Sequence, residues 1–337
     1  FFEERYGFKK SFLTTSCTDA LEMAAMLLDL GPGDEVIVPS YTFVTTALAF
    51  VRQGAKVVFA DSSKDHPNMD ASRLKSLITE KTKVIVPMHY AGNACDMDTI
   101  MQLAKKHDIY VVEDDALAID SFYKGKALGS IGHLGCFSFH DTKGIQCGEG
   151  GMLTVNDEKL IRRAEIIWEK GTDRAAFFRG EKNKYGWVDI GSSFQPSELI
   201  GAFLCAQLEN LDAIQNRRLE LWEGYYKELF PLHEEGLINI PAIPEYAVNN
   251  AHAFYFVCRN GEERMAMINK LREQNIQLAF HYQSLDKSDF YQKTNSVSKL
   301  NNAEKYTDCL VRLPLYYELE VEEVELISRQ IIQHLKQ

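Results

Sequence analysis

Between residues 36 and 155, short β-branched and aromatic runs alternate with stretches of helical period, and this alternation narrows the available folds more than any other feature. The spacing predicts strands at Val36–Pro39, Lys56–Ala60, Lys83–Pro87, Ile109–Glu113, Gly135–Phe139 and Met152–Val155. Helices are predicted at about 18–29, 43–52, 71–79 and 97–107. A strand–helix–strand unit returns its second strand parallel to the first, so the order implies an α/β domain with a mainly parallel sheet. After about residue 205 the pattern changes. A long helix is predicted over Leu211–Phe230 and ends at Pro231, followed by a strand at Ala253–Cys258, a helix at Glu262–Glu273, strands at Ile276–Tyr282 and Val311–Pro314, and a helix from Val321. We therefore expect a large α/β domain over 1–205 and a smaller α+β domain over 206–337.

Composition excludes several classes. Apolar residues at 45% and charged residues at 25% are incompatible with global disorder. The net charge of −11, without long like-charge runs, argues against a nucleic-acid binder. No apolar stretch approaches the roughly 20 residues needed to cross a bilayer, so a soluble, cytoplasmic protein without membrane contact is expected. The sequence opens on Phe1 rather than Met, so residues upstream of it are expected. The seven cysteines are scattered without a C-x-x-C pair, which predicts neither a disulfide framework nor a metal site.

Several short motifs can carry chemistry. Gly31-Pro32-Gly33 follows a helix and precedes a strand, the reverse of a dinucleotide site, and reads as a turn. Gly148-Glu149-Gly150-Gly151 reads either as a hairpin loop or as a place where backbone approaches a ligand. Thr15-Ser16-Cys17-Thr18-Asp19 opens the first helix with capping-box spacing; such an end is either an ordinary cap or an anion site. Glu113-Asp114-Asp115 places carboxylates just beyond a buried strand, where open α/β sheets bind ligands. Lys143 lies past another strand end, where desolvation would free its amine as a nucleophile toward carbonyls. A Cys147–His140 nucleophile pair lacks an orienting group, and a buried inert cysteine is the better reading.

An anion site at a helix start, an acid at one strand end and a lysine at another are the parts needed to hold the phosphate, ring nitrogen and aldehyde of pyridoxal phosphate. The runs TSCTDALEMAA from Thr15, PGDEVIVPSYTFVTTA from Pro32, VPMHYAG from Val86, VVED from Val111, FSFHDTK from Phe137, GEGG from Gly148 and LVRLPLYYEL from Leu310 resemble the DegT/DnrJ/EryC1/StrS nucleotide-sugar aminotransferases along essentially the whole chain. The resemblance implies the aspartate-aminotransferase fold, fold type I of the pyridoxal-phosphate enzymes. It also implies a homodimer with shared active sites, and transfer of an amino group from glutamate to a dTDP-4-keto-6-deoxyhexose. Residue by residue it implies that Lys143 carries the cofactor and shuttles protons, that Asp114 pairs with the ring nitrogen, and that Phe43 stacks on the ring. Thr18, the backbone of Cys17 and Asp19, and Ser138 match the phosphate cradle. Ser193 matches a position that reaches the phosphate from the other subunit, and His281 and Tyr282 match a substrate-side motif.

The sequence departs from the family pattern at three places. Leu117 replaces a common glutamine, Gly144 replaces an asparagine after the lysine, and Ser284-Leu285-Asp286 replaces Pro-Leu-His. Two rivals follow. A sugar dehydratase would carry histidine in place of Lys143, and the departures at Leu117 and Gly144 motivate a catalytically dead homologue. The resemblance favours the galactose-configured product, with an axial amino group, and the glucose-configured product, with an equatorial one, is the alternative, a choice the sequence alone leaves open.

Overall fold

The computed structural model describes residues 1–293, 295 and 299–336. Its strands are β1 (Lys10–Thr14), β2 (Glu35–Pro39), β3 (Lys56–Ala60), β4 (Thr82–Ile85), β5 (Tyr110–Asp115), β6 (Phe122–Tyr123), β7 (Lys126–Ala127), β8 (Leu134–Ser138), β9 (Gly151–Val155), β10 (Ile238–Asn239), β11 (Ala247–Val248), β12 (Tyr255–Cys258) and β13 (Leu310–Arg312). Seven form one sheet in the order β1-β9-β8-β5-β4-β2-β3. Neighbours from β3 to β8 pair in parallel, and β9 alone runs antiparallel, between β8 and β1. The fold is the expected α/β architecture with a mainly parallel central sheet.

Side-chain alternation builds a core on each face. Val36 and Val38 of β2, Val84 of β4 and Val112 of β5 join one apolar cluster with the helix Cys17–Leu27. Their neighbours Ile37, Ile85 and Val111 join another under the helix Met97–His107. Strands buried on both faces read as continuous apolar runs, which is why the alternation with helices was visible in sequence. The three-stranded sheet β10-β12-β13 repeats the device. Tyr255, Val257 and Leu310 face the first core, while Phe256, Cys258 and Val311 face a second core drawn from residues 221–335.

Three of the predicted elements take a different form. The long helix runs over Leu211–Glu234, through Pro231; burial of Leu229 and Leu232 in the second core offsets the hydrogen bond the proline removes. Residues 276–282 form no strand, and their backbone pairs with β13 through an isolated bridge from Ala279 to Arg312. Residues 71–76 form a 3₁₀ rather than an α-helix.

Candidate active site

Strand register brings the motifs together. Thr14 lies opposite Gly151, Gly151 opposite Ser138, and Cys136 opposite Asp114, so β1, β8 and β5 end along one edge of the sheet. A cavity of about 420 Å³ opens there, lined by Cys17, Thr18, Phe43, Asp114, Ser138, Lys143, His281 and Tyr282, with Ser16, Thr45, Ala116, His140, Thr142, Glu149 and Gly150.

The helix Cys17–Leu27 begins at the cavity wall. Ser16 Oγ accepts the Asp19 N–H at 3.0 Å and the Ser16 carbonyl accepts that of Ala20 at 3.1 Å, which leaves the amides of Cys17 and Thr18 unspent. A Cβ on Gly151 would collide with the Ser16 carbonyl carbon and the Cys17 nitrogen, so only glycine lets this helix start dock beside Ser138. The glycine run thus serves close backbone approach as well as the loop. Free amides, the Thr18 and Ser138 hydroxyls and a positive helix end form a donor set suited to a phosphate. Asp19 stands apart: its amide is taken by the cap, and its carboxylate accepts from Ser16 at 3.0 Å and from Thr15. The Cys17 thiol is aimed at the Cys136 carbonyl, 3.5 Å away, and burial pushes it well above its ordinary range.

Alternation along β5 separates its acids. Asp114 shares the face of Val112 and enters the cavity, whereas Glu113 and Asp115 point to the opposite face. Asp114 Oδ2 accepts from Thr46 Oγ1 at 2.6 Å, and Oδ1 accepts the Ala116 N–H at 3.1 Å. Burial pushes this carboxyl up, while both hydrogen bonds and the nearby Lys143 pull it down. A cationic ring nitrogen placed against it would complete the pull. Burial holds the Lys143 amine below its ordinary range against the attraction of Cys17 and Asp114, and the charge of Arg312 adds to the lowering. The donor set, the acid and the desolvated amine fit pyridoxal phosphate.

Across the cavity Phe43 and Tyr282 lie with ring centroids 6.2 Å apart. Arg312 Nη1 lies 3.1 Å from His281 Nε2 and donates to it; burial, then Arg312 and Lys143, push His281 down to about 2. Ser284-Leu285-Asp286 serves as a joint. Ser40 Oγ and Ser284 Oγ both donate to Asp286 Oδ1 at 2.7 Å, and Leu285 N donates to the Ser40 carbonyl at 2.9 Å.

Other expected positions lie elsewhere. Ser193 is exposed, bridged to Glu169 and outside this chain's own cavity. Leu117 is buried in the core with its carbonyl held by Asn250 Nδ2 at 3.0 Å. Cys147 Sγ lies 3.6 Å from the carbonyls of Phe139 and Glu149, and burial pushes it up to about 11. His140 instead lies 2.9 Å from Thr142 Oγ1 and 2.8 Å from Asp141 Oδ1, so no Cys–His nucleophile pair forms.

Behind Asp114, His89, Glu113 and Asp115 offer ligand atoms within 4.8 Å of one another. The Cys95 N–H donates to His89 Nδ1 at 3.0 Å, which puts the ring proton on Nε2, 3.1 Å from Glu113 Oε2. That nitrogen donates rather than offering a lone pair to a metal. The sequence reading missed Thr46, Arg218 and Arg312. Thr46 shares the buried helix face of Ala49 and Phe50, a polar residue at core spacing, which was the one available signal.

Residues 2–332 match the DegT/DnrJ/EryC1/StrS aminotransferase family. The spore coat polysaccharide biosynthesis protein SpsC of Bacillus subtilis is 34% identical over 331 residues, covering 95% of this chain and 84% of SpsC. Among solved structures, an aminotransferase from Psychrobacter cryohalolentis superposes with a TM-score of 0.92 at 27% identity, covering 98% of this chain and 88% of that one. The putative sugar aminotransferase Spr1654 from Streptococcus pneumoniae in its PLP form gives 0.90 at 27% identity, covering 99% and 89%. Taken with the geometry of the cavity, these likenesses show that the chain belongs to the DegT/DnrJ/EryC1/StrS aminotransferase family and is a pyridoxal-phosphate-dependent sugar aminotransferase.

Proposed function

We propose that this enzyme moves an amino group from glutamate to the 4-keto group of a dTDP-4-keto-6-deoxyhexose, giving a dTDP-4-amino-4,6-dideoxy sugar of galactose configuration. The observation that carries the reading is the convergence of Thr18, Ser138, Asp114 and Lys143 on one cavity. When bound, pyridoxal phosphate supplies an aldehyde that takes up the amino group and a ring that draws electrons from the substrate carbon. Cys17 and Thr18 amides, with the Thr18 and Ser138 hydroxyls, hold its phosphate. Asp114, whose carboxylate form the hydrogen bonds from Thr46 and Ala116 favour against burial, would hold a proton on the ring nitrogen. Lys143 Nζ, which burial favours in its neutral form, is available to take and return the proton at the substrate carbon. Phe43 stacks on the cofactor ring, and Tyr282 lines the same cavity beside it.

Ser193 serves the phosphate of a second copy. Its segment carries Trp187 at 84% and Leu199 at 83% exposure, apolar surface of the kind that dimer interfaces cover. SpsC, named for spore coat polysaccharide biosynthesis, supports a product destined for a cell-surface polysaccharide.

The test is the visible spectrum of the cofactor-loaded protein before and after glutamate, followed by the keto sugar and product stereochemistry by NMR. A band that fades with glutamate and returns with the dTDP-keto sugar supports the reading. A band that ignores both overturns it in favour of a catalytically dead homologue.

A further inference from the structure

The face of β5 turned away from the cavity carries a closed set of hydrogen bonds that the proposed chemistry leaves unused. His89 and Glu113 are both fully buried there. Glu113 Oε2 accepts the His89 Nε2 proton at 3.1 Å, and Glu113 Oε1 accepts the amides of Ile131 at 2.9 Å and Gly132 at 2.6 Å. The Cys95 N–H fills His89 Nδ1 from the other side at 3.0 Å; it reaches the ring because Ala91 and Gly92, at φ 54° and 80°, turn the chain back on itself. Asp115 also faces the ring, but its Oδ1 stands 3.7 Å from Nε2, beyond hydrogen-bond distance, and the carboxyl has no partner of its own.

This set reaches the cavity through the backbone. β4 ends at Ile85, yet pairing resumes beyond it: Asp114 N donates to the Pro87 carbonyl at 2.8 Å and His89 N donates to the Asp114 carbonyl at 3.2 Å, a parallel bridge centred on Met88 and Asp114. His89 therefore holds Asp114 twice, directly by its amide and, through its ring, by the residue before. The same bond joins His89 to Ile131 and Gly132 through Glu113. Those residues lead into β8, which ends at Ser138 on the cavity wall. Glu113 thus ties the segment bearing His89, the end of β5 and the approach to β8 to one another.

We propose that His89, through its bond to Glu113, is a positioning residue for Asp114 and sets the height of that carboxylate against the cofactor ring. The inference rests on the reading of Asp114 as the acid of the ring nitrogen. Alternation sends the Glu113 and Asp114 side chains to opposite faces of one strand, so a bond that anchors the first fixes the backbone from which the second projects. Thr46 and the Ala116 amide hold the Asp114 carboxylate itself, and His89 holds the strand end beneath it. A site works only when the groups that touch the ligand are themselves held in place, and a strand end without such an anchor is free to fray.

The probe is pyridoxal phosphate labelled with ¹⁵N in the ring, titrated into the cofactor-free protein. It reports affinity and, by NMR, the proton on the ring nitrogen, while urea unfolding of the same proteins reports stability. His89→Gln puts an amide nitrogen where Nε2 stands and keeps the donor to Glu113. His89→Asn puts its oxygen where Nδ1 stands, keeps the acceptor for Cys95 and loses that donor. His89→Asn is expected to weaken cofactor binding about tenfold and to move the ring-nitrogen signal toward its unprotonated position, and His89→Gln to restore both. Glu113→Gln offers its oxygen to the two amides but only an N–H to the ring. It should behave as His89→Asn does, and it carries the test if His89→Asn does not fold. Equal losses in the two His89 variants, or a lower urea midpoint with the ring-nitrogen signal unmoved, overturn the inference in favour of a purely structural histidine. A loss in Asp115→Asn with none in Glu113→Gln overturns the pairing. A signal that answers to Asp114→Asn but to neither His89→Asn nor Glu113→Gln overturns this inference alone, whereas a signal indifferent to Asp114→Asn overturns the reading of Asp114 and this inference with it.

Discussion

Thr46 Oγ1 lies 2.6 Å from Asp114 Oδ2 and donates its proton there, with both groups buried. This bond favours the carboxylate against the burial that pushes Asp114 up. Thr46→Val keeps the shape and removes the donor. Hydrogen bonds to charged groups contribute about 1.5–3 kcal/mol, so cofactor affinity should fall about ten- to hundredfold. The Asp114 carboxyl then rises further, so the variant should release cofactor at a higher pH than wild type as pH falls. Titrating cofactor-free protein with pyridoxal phosphate between pH 6 and 8 checks both, and an unchanged affinity would remove Thr46 from the site.

Asp115 sits behind that pair with both carboxylate oxygens buried and without a hydrogen-bond partner. Burial and then the charges of Glu113 and Asp114 push it well above the ordinary carboxylate range. A raised acid contributes stability below its unfolded value near 3.9 and loses that contribution as pH rises toward its folded value. Asp115→Asn is therefore expected to stabilise the protein at pH 7 by about 1–3 kcal/mol, the cost of an uncompensated polar group, with a gain that vanishes near pH 4. Urea unfolding across that range decides it.

Two histidines make the opposite demand. Burial, then the charges of Lys143 and Arg312, hold His252 well below its ordinary range, and His281 lies near 2 for related reasons. The unfolded chain takes up protons near pH 6.5 that the folded chain refuses, so stability is full above that value and lost as pH falls below it. Each contributes a slope of up to about 1.4 kcal/mol per pH unit. Urea midpoints of the cofactor-free protein should drop between pH 7 and 5, and His252→Asn should flatten that fall. Parallel curves would show that His252 titrates normally.

Gly151 is expected to tolerate no side chain. A Cβ there meets backbone of the helix start, which cannot swing aside, so Gly151→Ala should cost cofactor affinity about a hundredfold through displaced Cys17 and Thr18 amides. Gly31→Ala, where a Cβ meets nothing within 4 Å, is the control and should leave cofactor binding unchanged.

Much of this was legible in the sequence because it depends on local pattern. Lys56–Ala60 is a strand from end to end, and an acid and a lysine each lying past a strand end, taken with the family resemblance, pointed Asp114 and Lys143 with Thr18 to one cofactor. What escaped depends on partners far along the chain. β1 holds only Phe12 and Leu13 as large apolar residues and becomes a strand by pairing with β9, more than a hundred residues on. Residues 276–282 have strand-like composition, but Asn275 turns the chain at φ 61° and Phe280 faces solvent. Arg218 and Arg312 carry no local signature, since the His252 carbonyl and the His281 ring to which they donate lie 34 and 31 residues away. The Asp19 amide was expected in the phosphate cradle, and the cap takes it instead.

The loop bearing Lys143 is closed on itself. Phe139 N donates to the Gly150 carbonyl, Cys147 N to that of Phe139 and Asp141 N to that of Gly148, each at 2.8 Å, fastening the lysine to the paired strands β8 and β9. The opposite wall is fastened separately, Ser40 to Ser284 and Asp286, which ties the strand end leading to Phe43 to the segment that follows Tyr282. The two sides of the cavity are thus held by separate hydrogen-bond sets, so a substitution that loosens one leaves the fastening of the other in place.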